Sequence, residues 1–258
     1  MSTDLSYKEK PERLADRIRA HKLFADYDIE DWIERFLARR SRRHVFDLGC
    51  GDGNHLALYL RHVGPDGTVT GLDREAALIE AARRRYADDP RLRLRVGSMD
   101  DPLPFPDSSF DTCFSNFAIY NARDVGFTLT ELRRVMTPGA ELVLIGPTTN
   151  NARELYEYNA RLTGTAIDEI TLIRTDRLRR EILPRAREVF GEVAEEVVSS
   201  YLTFPDVDEF LRYFRSTMLY EEGAEKMGLP DERLRAACRP KTDIRVSKEM
   251  LALIATKR

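Results

Sequence analysis

The segment 45–53, V-F-D-L-G-C-G-D-G, constrains this chain more than any other stretch of similar length. An apolar strand carrying Asp47 runs into a turn in which glycine occupies alternate positions. These glycines, which permit positive φ and close approach to a ligand, are Gly49, Gly51 and Gly53. A second apolar stretch, 68–72, ends in Asp73, whose carboxylate can accept hydrogen bonds from both ribose hydroxyls. Because doubly wound α/β sheets bind ligands beyond the carboxyl ends of their strands, the pattern predicts a nucleoside-cofactor site.

The charge of the turn discriminates between cofactors. A dinucleotide site reads G-x-G-x-x-G and places a pyrophosphate at a helix N-terminus. This chain reads G-C-G-D-G, and Asp52 inside the turn and Asp47 upstream would both repel a pyrophosphate. S-adenosylmethionine has no phosphate, and its sulfonium and α-ammonium groups are positive. The acidic turn therefore favours this sulfonium nucleoside and argues against a nicotinamide-dependent oxidoreductase.

Further motifs extend the pattern towards residue 147. They are V-G-S-M-D at 96–100, L-P-F-P-D-S-S-F-D at 103–111, S-N-F-A-I-Y at 115–120 and E-L-R-R-V-M-T-P-G-A at 131–140. With the glycine turn, they make residues 43–147 resemble a class I S-adenosylmethionine-dependent methyltransferase. The resemblance is to the small-molecule branch, the type 11 domain, which includes the ubiquinone and menaquinone biosynthesis methyltransferases.

The resemblance implies roles for individual residues, with S-adenosylmethionine as cofactor and S-adenosylhomocysteine as product. Asp47 would orient the turn and the methionine ammonium, and Asp73 would bind the ribose. After the third strand this chain departs from the commoner G-D-A order, so we expect Asp100, with Asp101 as alternate, to bind the adenine amino group. Met99 would pack on the adenine ring or simply fill the core. The expected cofactor-binding set is Asp47, Gly49, Cys50, Gly51, Gly53, Asp73, Arg74, Met99, Asp100, Asn116 and Phe117.

The expected chemistry is an in-line displacement on the sulfonium methyl, for which the protein supplies alignment and exclusion of water. A general base is needed only if the acceptor must lose a proton. No residue is assigned as that base; Tyr120 is a candidate, with packing as the alternative. Tyrosines that could line an acceptor pocket are Tyr27, Tyr120, Tyr156, Tyr158 and Tyr213.

The residues that follow the fourth strand restrict the class of methyl acceptor. This stretch reads N-F-A-I-Y from Asn116 and lacks the N/D-P-P-Y/F clamp of adenine and glutamine amide methyltransferases. Its absence argues against nucleobase methylation and leaves O-, N- and C-methylation of a small molecule open. The alternative function is an S-adenosylmethionine-binding protein of the same fold that does not transfer methyl, acting as a regulator or scaffold or catalysing another reaction.

Composition agrees with an enzyme acting on a small molecule. The 258 residues carry a formal net charge of −3, and the basic cluster 39–43 is expected to be a solvated helix end, so no nucleic-acid partner is predicted. The three cysteines and four histidines form no disulfide or metal-ligand pattern, so no metal is expected. No run approaches the roughly 18 apolar residues of a membrane span. A cytoplasmic protein is the default expectation.

The predicted fold is an α/β, doubly wound, Rossmann-like sheet of seven strands, mostly parallel with the last strand antiparallel. The strands are predicted at 44–48, 68–72, 92–96, 110–115, 141–145, within 192–203 and at 244–255. We divide the chain into an N-terminal helical segment closing over the cofactor site (1–42), the cofactor-binding core (43–149), a helical cap (150–191) and the C-terminal part of the sheet (192–258). Tyr7 and Tyr27 are candidates for closing the site.

Short sequence patterns predict individual turns and the ends of individual helices. Residues 64–67, G-P-D-G, predict a turn, and Pro138-Gly139 predicts the end of a helix over 124–136. Asn150 and Asn151 are expected to cap a helix from about Ala152. Two more helices are predicted, one over 176–190 that Pro184 interrupts, and one that Asp206 caps.

Overall fold

The computed structural model of this protein describes residues 11–87, 89–165 and 175–258. The first half contains α1 (Pro11–Phe24), α2 (Ile29–Leu37), β1 (Arg42–Leu48), α3 (Leu56–His62), β2 (Val63–Asp73), α4 (Ala76–Arg85), β3 (Leu92–Val96) and β4 (Phe110–Asn116). The second half contains a 3₁₀ turn (Ile119–Asn121), α5 (Val125–Val135), β5 (Met136–Pro147), α6 (Arg153–Thr163), a π-helical turn (Leu178–Ile182), α7 (Leu183–Phe190) and β6 (Val193–Asp206). It ends with α8 (Val207–Arg215), a second π-helical turn (Tyr220–Glu225), α9 (Asp231–Ala237) and β7 (Thr242–Thr256).

The seven strands form one sheet in the order β3-β2-β1-β4-β5-β7-β6. The ladders that join β3, β2, β1, β4 and β5 are parallel. Strand β7 runs antiparallel to β5, as reciprocal bonds from Gly139 N to Lys257 O (2.7 Å) and from Lys257 N to Ala140 O (2.9 Å) illustrate. The predicted doubly wound sheet is confirmed. The strand order reverses between β1 and β4, which is where such sheets bind ligands.

Continuous apolar runs explain why the central strands are buried. In β1, Val45, Phe46 and Leu48 are fully buried, and the four residues 142–145 of β5 are at most 1% exposed. Parallel strands covered by helices on both faces read as unbroken hydrophobic runs rather than as alternating ones. Asp47 is therefore an ionisable residue within the apolar, buried second half of β1.

Two predicted turns lie inside longer strands. The partner of β1 moves from Val63 opposite Arg42 to Thr68 opposite His44, so the four residues 64–67 bulge out of β2. Residues 137–140 likewise separate two β5 positions that pair with β4. The predicted helix over 124–136 ends at Val135, and the predicted strand boundaries were too narrow because pairing continues on both sides of each bulge.

One predicted helix cap is confirmed and one is wrong. The Asp206 carboxylate accepts from Glu209 N at 3.0 Å and caps α8. Helix α6 instead begins after Ala152, which has φ 60° and provides no side-chain cap. Asn150 donates to the Glu249 carboxylate (3.1 Å) and Asn151 accepts from Glu249 N (3.3 Å), so both amides bind β7 rather than the helix.

The expected interruption of the 176–190 helix is also present. The π-helical turn Leu178–Ile182 directly precedes α7, and Pro184 lies in the first turn of α7. Proline has no backbone N–H and cannot continue the α-helical hydrogen-bond ladder. Within the described ranges of the chain, no helix is long and apolar enough to cross a membrane.

The chain divides into two compact units. The first contains 11–28, 147–165, Thr175 and 199–250 among the described residues, and the second contains 29–87, 89–146, 176–198 and 251–258. The core of the first unit is aromatic: the Tyr158 ring lies edge-on to Phe210 and Phe214 at 4.9 Å from each. The second unit contains the glycine turn and the parallel strands β1–β5 almost entirely.

A buried ion pair ties the start of β1 to β5 in the second unit. The Arg42 side chain is 0% exposed and donates to Glu141 at 2.5 Å, to Thr112 Oγ1 at 3.0 Å and to the Phe36 carbonyl at 3.2 Å. Its guanidinium also lies 4.8 Å from the centre of the Phe36 ring. Removing one partner of a buried pair leaves an uncompensated charge, which is strongly destabilising.

We therefore expect Glu141→Ala to lower the free energy of unfolding by about 2–3 kcal/mol, because it leaves Arg42 buried without a counter-charge. Chemical denaturation at neutral pH measures this loss. Glu80→Ala is the control, because Glu80 pairs with Arg83 on an exposed helix face and such pairs contribute little. Equal stabilities for the two variants would contradict the assigned role of the Arg42–Glu141 pair.

Candidate cofactor site

The glycine turn after β1 is held against the end of β2. Gly49, Gly51 and Gly53 have φ values of 80°, 55° and 86°. Gly49 N and Cys50 N both donate to the Leu72 carbonyl, at 2.7 and 3.2 Å. The turn therefore lies at the carboxyl edge of the sheet, at the reversal of strand order.

The glycines of the turn are needed for different reasons. A Cβ at Gly49 would lie 2.2 Å from the Ala118 Cβ, so Gly49 permits contact with the segment that follows β4. A Cβ at Gly53 would lie 2.8 Å from Leu56. At Gly51 a Cβ would meet nothing within 4 Å. Gly51 therefore faces open space beside the turn, which a ligand could fill.

The second predicted acid reaches the turn, as the sequence indicates. Asp73 Oδ2 accepts from Gly51 N at 2.9 Å, and its Oδ1 accepts from Glu75 N at 2.9 Å. Each carboxylate oxygen can accept more than one hydrogen bond. Asp73 therefore stabilises the turn and keeps acceptor capacity for a ligand hydroxyl.

Asp47 is the group of the site whose charged form its surroundings disfavour most. It is 2% exposed, and its Oδ1 is buried without a hydrogen-bond partner in the described part of the chain. Burial, and secondly the nearby Asp73 charge, raise the pKa of Asp47 to about 8. A cation bound here would supply both a donor and a compensating charge.

Asn116 at the end of β4 is paired with a residue that sequence reasoning missed. Its Nδ2 donates to the Tyr59 hydroxyl at 2.7 Å, while its Oδ1 is a second buried oxygen without a partner among the described residues. Tyr59 is fully buried and stacks on Phe114 at 4.7 Å. Burial, reinforced by Asp47, raises the pKa of Tyr59 well above its usual value, so the phenol stays protonated. In the sequence, Tyr59 resembles any apolar position of α3.

The backbone after β4 is conformationally special. Phe117 has φ 56°, which is uncommon for a residue other than glycine, and its N–H donates to the Ile145 carbonyl at 2.7 Å. The turn that follows is held by the buried Arg177, which donates to the carbonyls of Tyr120 and Ala122 at 2.8 and 2.7 Å. Arg177 is a further residue that sequence reasoning missed, since it reads as one of many helical arginines.

The segment after β3 supplies the predicted adenine residues. The Met99 methyl would lie 3.6 Å from a Cβ at Gly49, so Met99 is beside the glycine turn. Asp100 Oδ1 accepts from Arg123 N at 2.7 Å, and its Oδ2 lies 3.5 Å from Arg123 Nε. Asp101, the alternate, is exposed. Met99 thus lies next to the turn, while both oxygens of Asp100 face Arg123.

Two members of the expected set have side chains engaged elsewhere. The Cys50 thiol faces Gly71, at which a Cβ would lie 2.7 Å from the sulfur, and burial raises its pKa. A ligand would therefore meet the backbone of Cys50 rather than its thiol. Arg74 is exposed, with its Nε 3.5 Å from the Glu75 carboxylate.

The tyrosines predicted for an acceptor pocket differ in burial. Tyr120 is partly buried in the second unit, where its ring would contact a Cβ at Gly146 at 3.2 Å. In the first unit Tyr158 and Tyr213 are 2% and 4% exposed, and the Tyr158 hydroxyl donates to the Leu234 carbonyl at 2.7 Å. Tyr27 and Tyr156 are partly buried, and Tyr7 lies outside the described residues. The pocket assignment of these side chains stays a prediction.

Among residues 11–87, 89–165 and 175–258, no group of three or more histidines, cysteines or acids could hold a metal ion.

Comparisons with known proteins identify the part of the chain that contains this site. The family described as "Methyltransferase domain" matches residues 46–144. A demethylmenaquinone methyltransferase of Symbiobacterium thermophilum is 35% identical over 122 residues, which cover 45% of this chain and 48% of the relative. The chain thus spans about half the length of the curated relative that it matches.

Solved structures extend the likeness beyond the matched segment. A Haloferax volcanii protein, solved in complex with the Trm112 methyltransferase activator, is 25% identical with a TM-score of 0.55, covering 97% of this chain and 98% of that one. A geranyl diphosphate methyltransferase, solved with S-adenosylmethionine, has a TM-score of 0.56 at 18% identity, covering 98% of this chain and 93% of its own, and shares the fold. Residues 46–144 therefore match a methyltransferase domain, and the chain as a whole is similar in fold to solved methyltransferases.

The raised pKa of Asp47 predicts a specific pH dependence for the ligand-free protein. From about pH 4 to pH 8 the folded state keeps a proton that the unfolded carboxyl has lost, so stability falls as pH rises through this window. Asp47→Asn has no such group, and we expect it to exceed the wild type by roughly 1–3 kcal/mol at pH 8 and by much less at pH 5.

Thermal and chemical denaturation of both proteins at the two pH values measures this gap. Asp66→Asn, at an exposed position of the β2 bulge, is the matched control and should follow the wild type throughout. A gap between Asp47→Asn and the wild type that is the same at both pH values would contradict the buried, proton-holding Asp47.

Proposed function

We propose that this protein transfers a methyl group from S-adenosylmethionine to a small-molecule acceptor. The observation that carries the proposal is the buried Asp47 Oδ1, which has no partner in the described residues, beside a turn whose Gly51 faces open space. A buried carboxyl oxygen without a donor is unfavourable unless a ligand completes its hydrogen bonding. The α-ammonium group of the donor has the charge and the hydrogens that Asp47 requires.

The residues present fit this cofactor, which would supply an already activated, positively charged methyl group. Asp47 would accept from the ammonium, Gly51 would leave room for the ligand, and Asp73 would accept from the ribose hydroxyls with its remaining lone pairs. The unpartnered Oδ1 of Asn116 would offer another acceptor, fixed in direction by Tyr59. Met99 would lie against the adenine, and Asp100 would bind its amino group while sharing its charge with Arg123.

Catalysis would come mainly from alignment. The chain after β4 has a fixed conformation, because Phe117 is anchored to Ile145 and Arg177 holds the carbonyls of the next turn. Tyr59 and Cys50 both have raised pKa values and remain protonated near neutral pH, so neither serves as a base. Tyr120 stays the candidate for contacting the acceptor. A positioned donor and a water-free site are sufficient for an in-line displacement.

We propose that 43–149 binds the cofactor and that 150–191 contributes to acceptor choice. A cytoplasmic location is supported by three cysteines that are free and buried. Because the Haloferax volcanii relative was solved with an activator protein, activity should be assayed both with and without a Trm112-type partner.

Two other functions are alternatives to methyl transfer, and the experiments described below distinguish them. A protein that binds the cofactor without transferring methyl would keep the same site. A nicotinamide-dependent oxidoreductase would have to place a pyrophosphate beside Asp52, whose carboxylate belongs to the turn and lies 3.3 Å from Arg85. The acidic turn weighs against the second of these.

Binding of S-adenosylhomocysteine tests the site directly. We expect micromolar-range affinity by calorimetry, weakened about 10–100-fold in Asp73→Ala, because the variant loses charge-assisted hydrogen bonds to the ribose and the contact to Gly51. Asp66→Ala should bind like the wild type. Unchanged affinity in Asp73→Ala would remove Asp73 from the site, and stabilisation by NADH but not by S-adenosylhomocysteine would refute the cofactor assignment.

Methyl transfer is tested with isotopically labelled donor and a native metabolite extract. We expect a new labelled small molecule by mass spectrometry, which Asp47→Asn should fail to form because its amide cannot balance the ammonium charge. Tight binding of S-adenosylhomocysteine without any labelled product, with and without the activator, would favour the non-transferring alternative.

A further inference from the structure

Tyr86 contacts the glycine turn from the end of α4. It is the first residue after that helix, and its N–H still donates to the Ala82 carbonyl, at 3.1 Å. Its hydroxyl donates to the Gly53 carbonyl at 2.9 Å, and its ring carbon Cε2 would lie 3.1 Å from a Cβ at Gly53. Tyr86, which the sequence patterns do not single out, therefore both packs on the last glycine of the turn and forms a hydrogen bond with it.

The hydrogen bond from Tyr86 restrains one peptide group of the turn. Gly53 is buried and has φ 86°, and glycine reaches many other backbone conformations as readily as this one. Its carbonyl also accepts from Leu56 N at 3.1 Å, and its N–H donates to the Cys50 carbonyl at 3.0 Å. Of these three hydrogen bonds, the one from Tyr86 comes from a side chain, so a substitution can remove it without altering the turn itself.

Arg85, the last residue of α4, contacts the turn on either side of Gly53. Its guanidinium donates to Asp52 Oδ2 and to Asn54 Oδ1, at 3.3 Å in both cases. The Arg85 side chain is 47% exposed, and exposed pairs of this kind contribute little. The end of α4 thus contacts three consecutive residues, 52–54, and the hydroxyl of Tyr86 forms the shortest of these hydrogen bonds.

The chain before α4 holds the turn as well. Asp73 ends β2 and accepts from Gly51 N at 2.9 Å. Helix α4 is therefore preceded by a carboxylate and followed by a phenol that each bind a glycine of the turn, at Gly51 and at Gly53 respectively. Two contacts from opposite ends of one helix thus restrain the turn that the sequence predicts to bind the cofactor.

We infer that Tyr86 is a positioning residue for cofactor binding, because its hydroxyl keeps the Gly53 peptide in the conformation that accepts the ligand. The identity of that ligand rests on the proposed function; the restraint of the turn by Tyr86 does not. Without the hydroxyl, Gly53 populates further conformations, and a smaller fraction of the molecules has the binding-competent turn. The apparent affinity for the ligand then falls in proportion to that fraction.

Tyr86→Phe tests this inference, because it removes the hydroxyl and keeps the ring that packs on Gly53. We expect the variant to bind S-adenosylhomocysteine about fivefold more weakly by calorimetry, the size expected for the loss of one hydrogen bond. Amide hydrogen exchange, followed by NMR on the ligand-free protein, should show a loss of protection by a similar factor at Gly53 N–H. The amides of β4 and β5 should keep their protection, because the turn opens locally while the sheet stays folded.

Tyr201→Phe is the matched control. Tyr201 is 39% exposed on β6 in the first unit, and the Arg245 guanidinium lies 4.0 Å from the centre of its ring, a contact that phenylalanine keeps. This variant should match the wild type in both affinity and hydrogen exchange. The inference is overturned if Tyr86→Phe keeps the wild-type affinity, or if its amides lose protection equally at Gly53 and in β4 and β5.

The two measurements also separate this inference from the proposed function. Loss of Gly53 protection in Tyr86→Phe, with no binding of S-adenosylhomocysteine to either protein, would refute the cofactor assignment and support the restraint of the turn by Tyr86. Binding of S-adenosylhomocysteine with equal affinity to the wild type and to Tyr86→Phe would refute the positioning role alone.

Discussion

The organisation of the second unit depends on two carboxylates that meet beside a glycine turn. Asp73 accepts the Gly51 N–H and so holds the turn, while Asp47 lies behind it in a buried strand. Burial disfavours the charged carboxylate of Asp47, and the nearby Asp73 charge adds to the effect, so the pKa of Asp47 is raised well above its usual value. The site is therefore destabilised electrostatically, and a cationic ligand would relieve the groups that destabilise it.

The surrounding structure keeps these groups in place without neutralising them. Tyr59 occupies one end of the Asn116 amide and leaves its oxygen without a partner among the described residues. The backbone at Phe117 has an uncommon conformation that the bond to Ile145 maintains. An uncommon backbone conformation and two buried oxygens without a partner among the described residues thus lie at this edge of the sheet, a combination that is typical of binding sites. The Arg42–Glu141 pair shows that the same fold satisfies a buried charge elsewhere.

Sequence reasoning succeeded where a feature depends on local spacing. The succession of strands and helices along the chain, the convergence of Asp47, Gly51 and Asp73, and the Asp206 cap all follow from patterns within a few residues, or from the rule that parallel strands end at one edge. It failed where residues distant in sequence compete for the hydrogen bonds of one side chain. Asn150 and Asn151 bind Glu249, about a hundred residues away, rather than the helix that they precede. Tyr59 and Arg177 have ordinary local contexts, and their importance arises from partners that only the folded chain reveals.

The guanidinium of Arg177 has a consequence for how such a protein could diversify. It reaches from the helical stretch before α7 to the carbonyls of Tyr120 and Ala122, just past the end of β4. Changes in that helix would alter the backbone that follows β4 while the glycine turn and its two acids stay as they are. Related proteins could thus change their ligand specificity through substitutions in this helix, which lies far in sequence from the glycine turn.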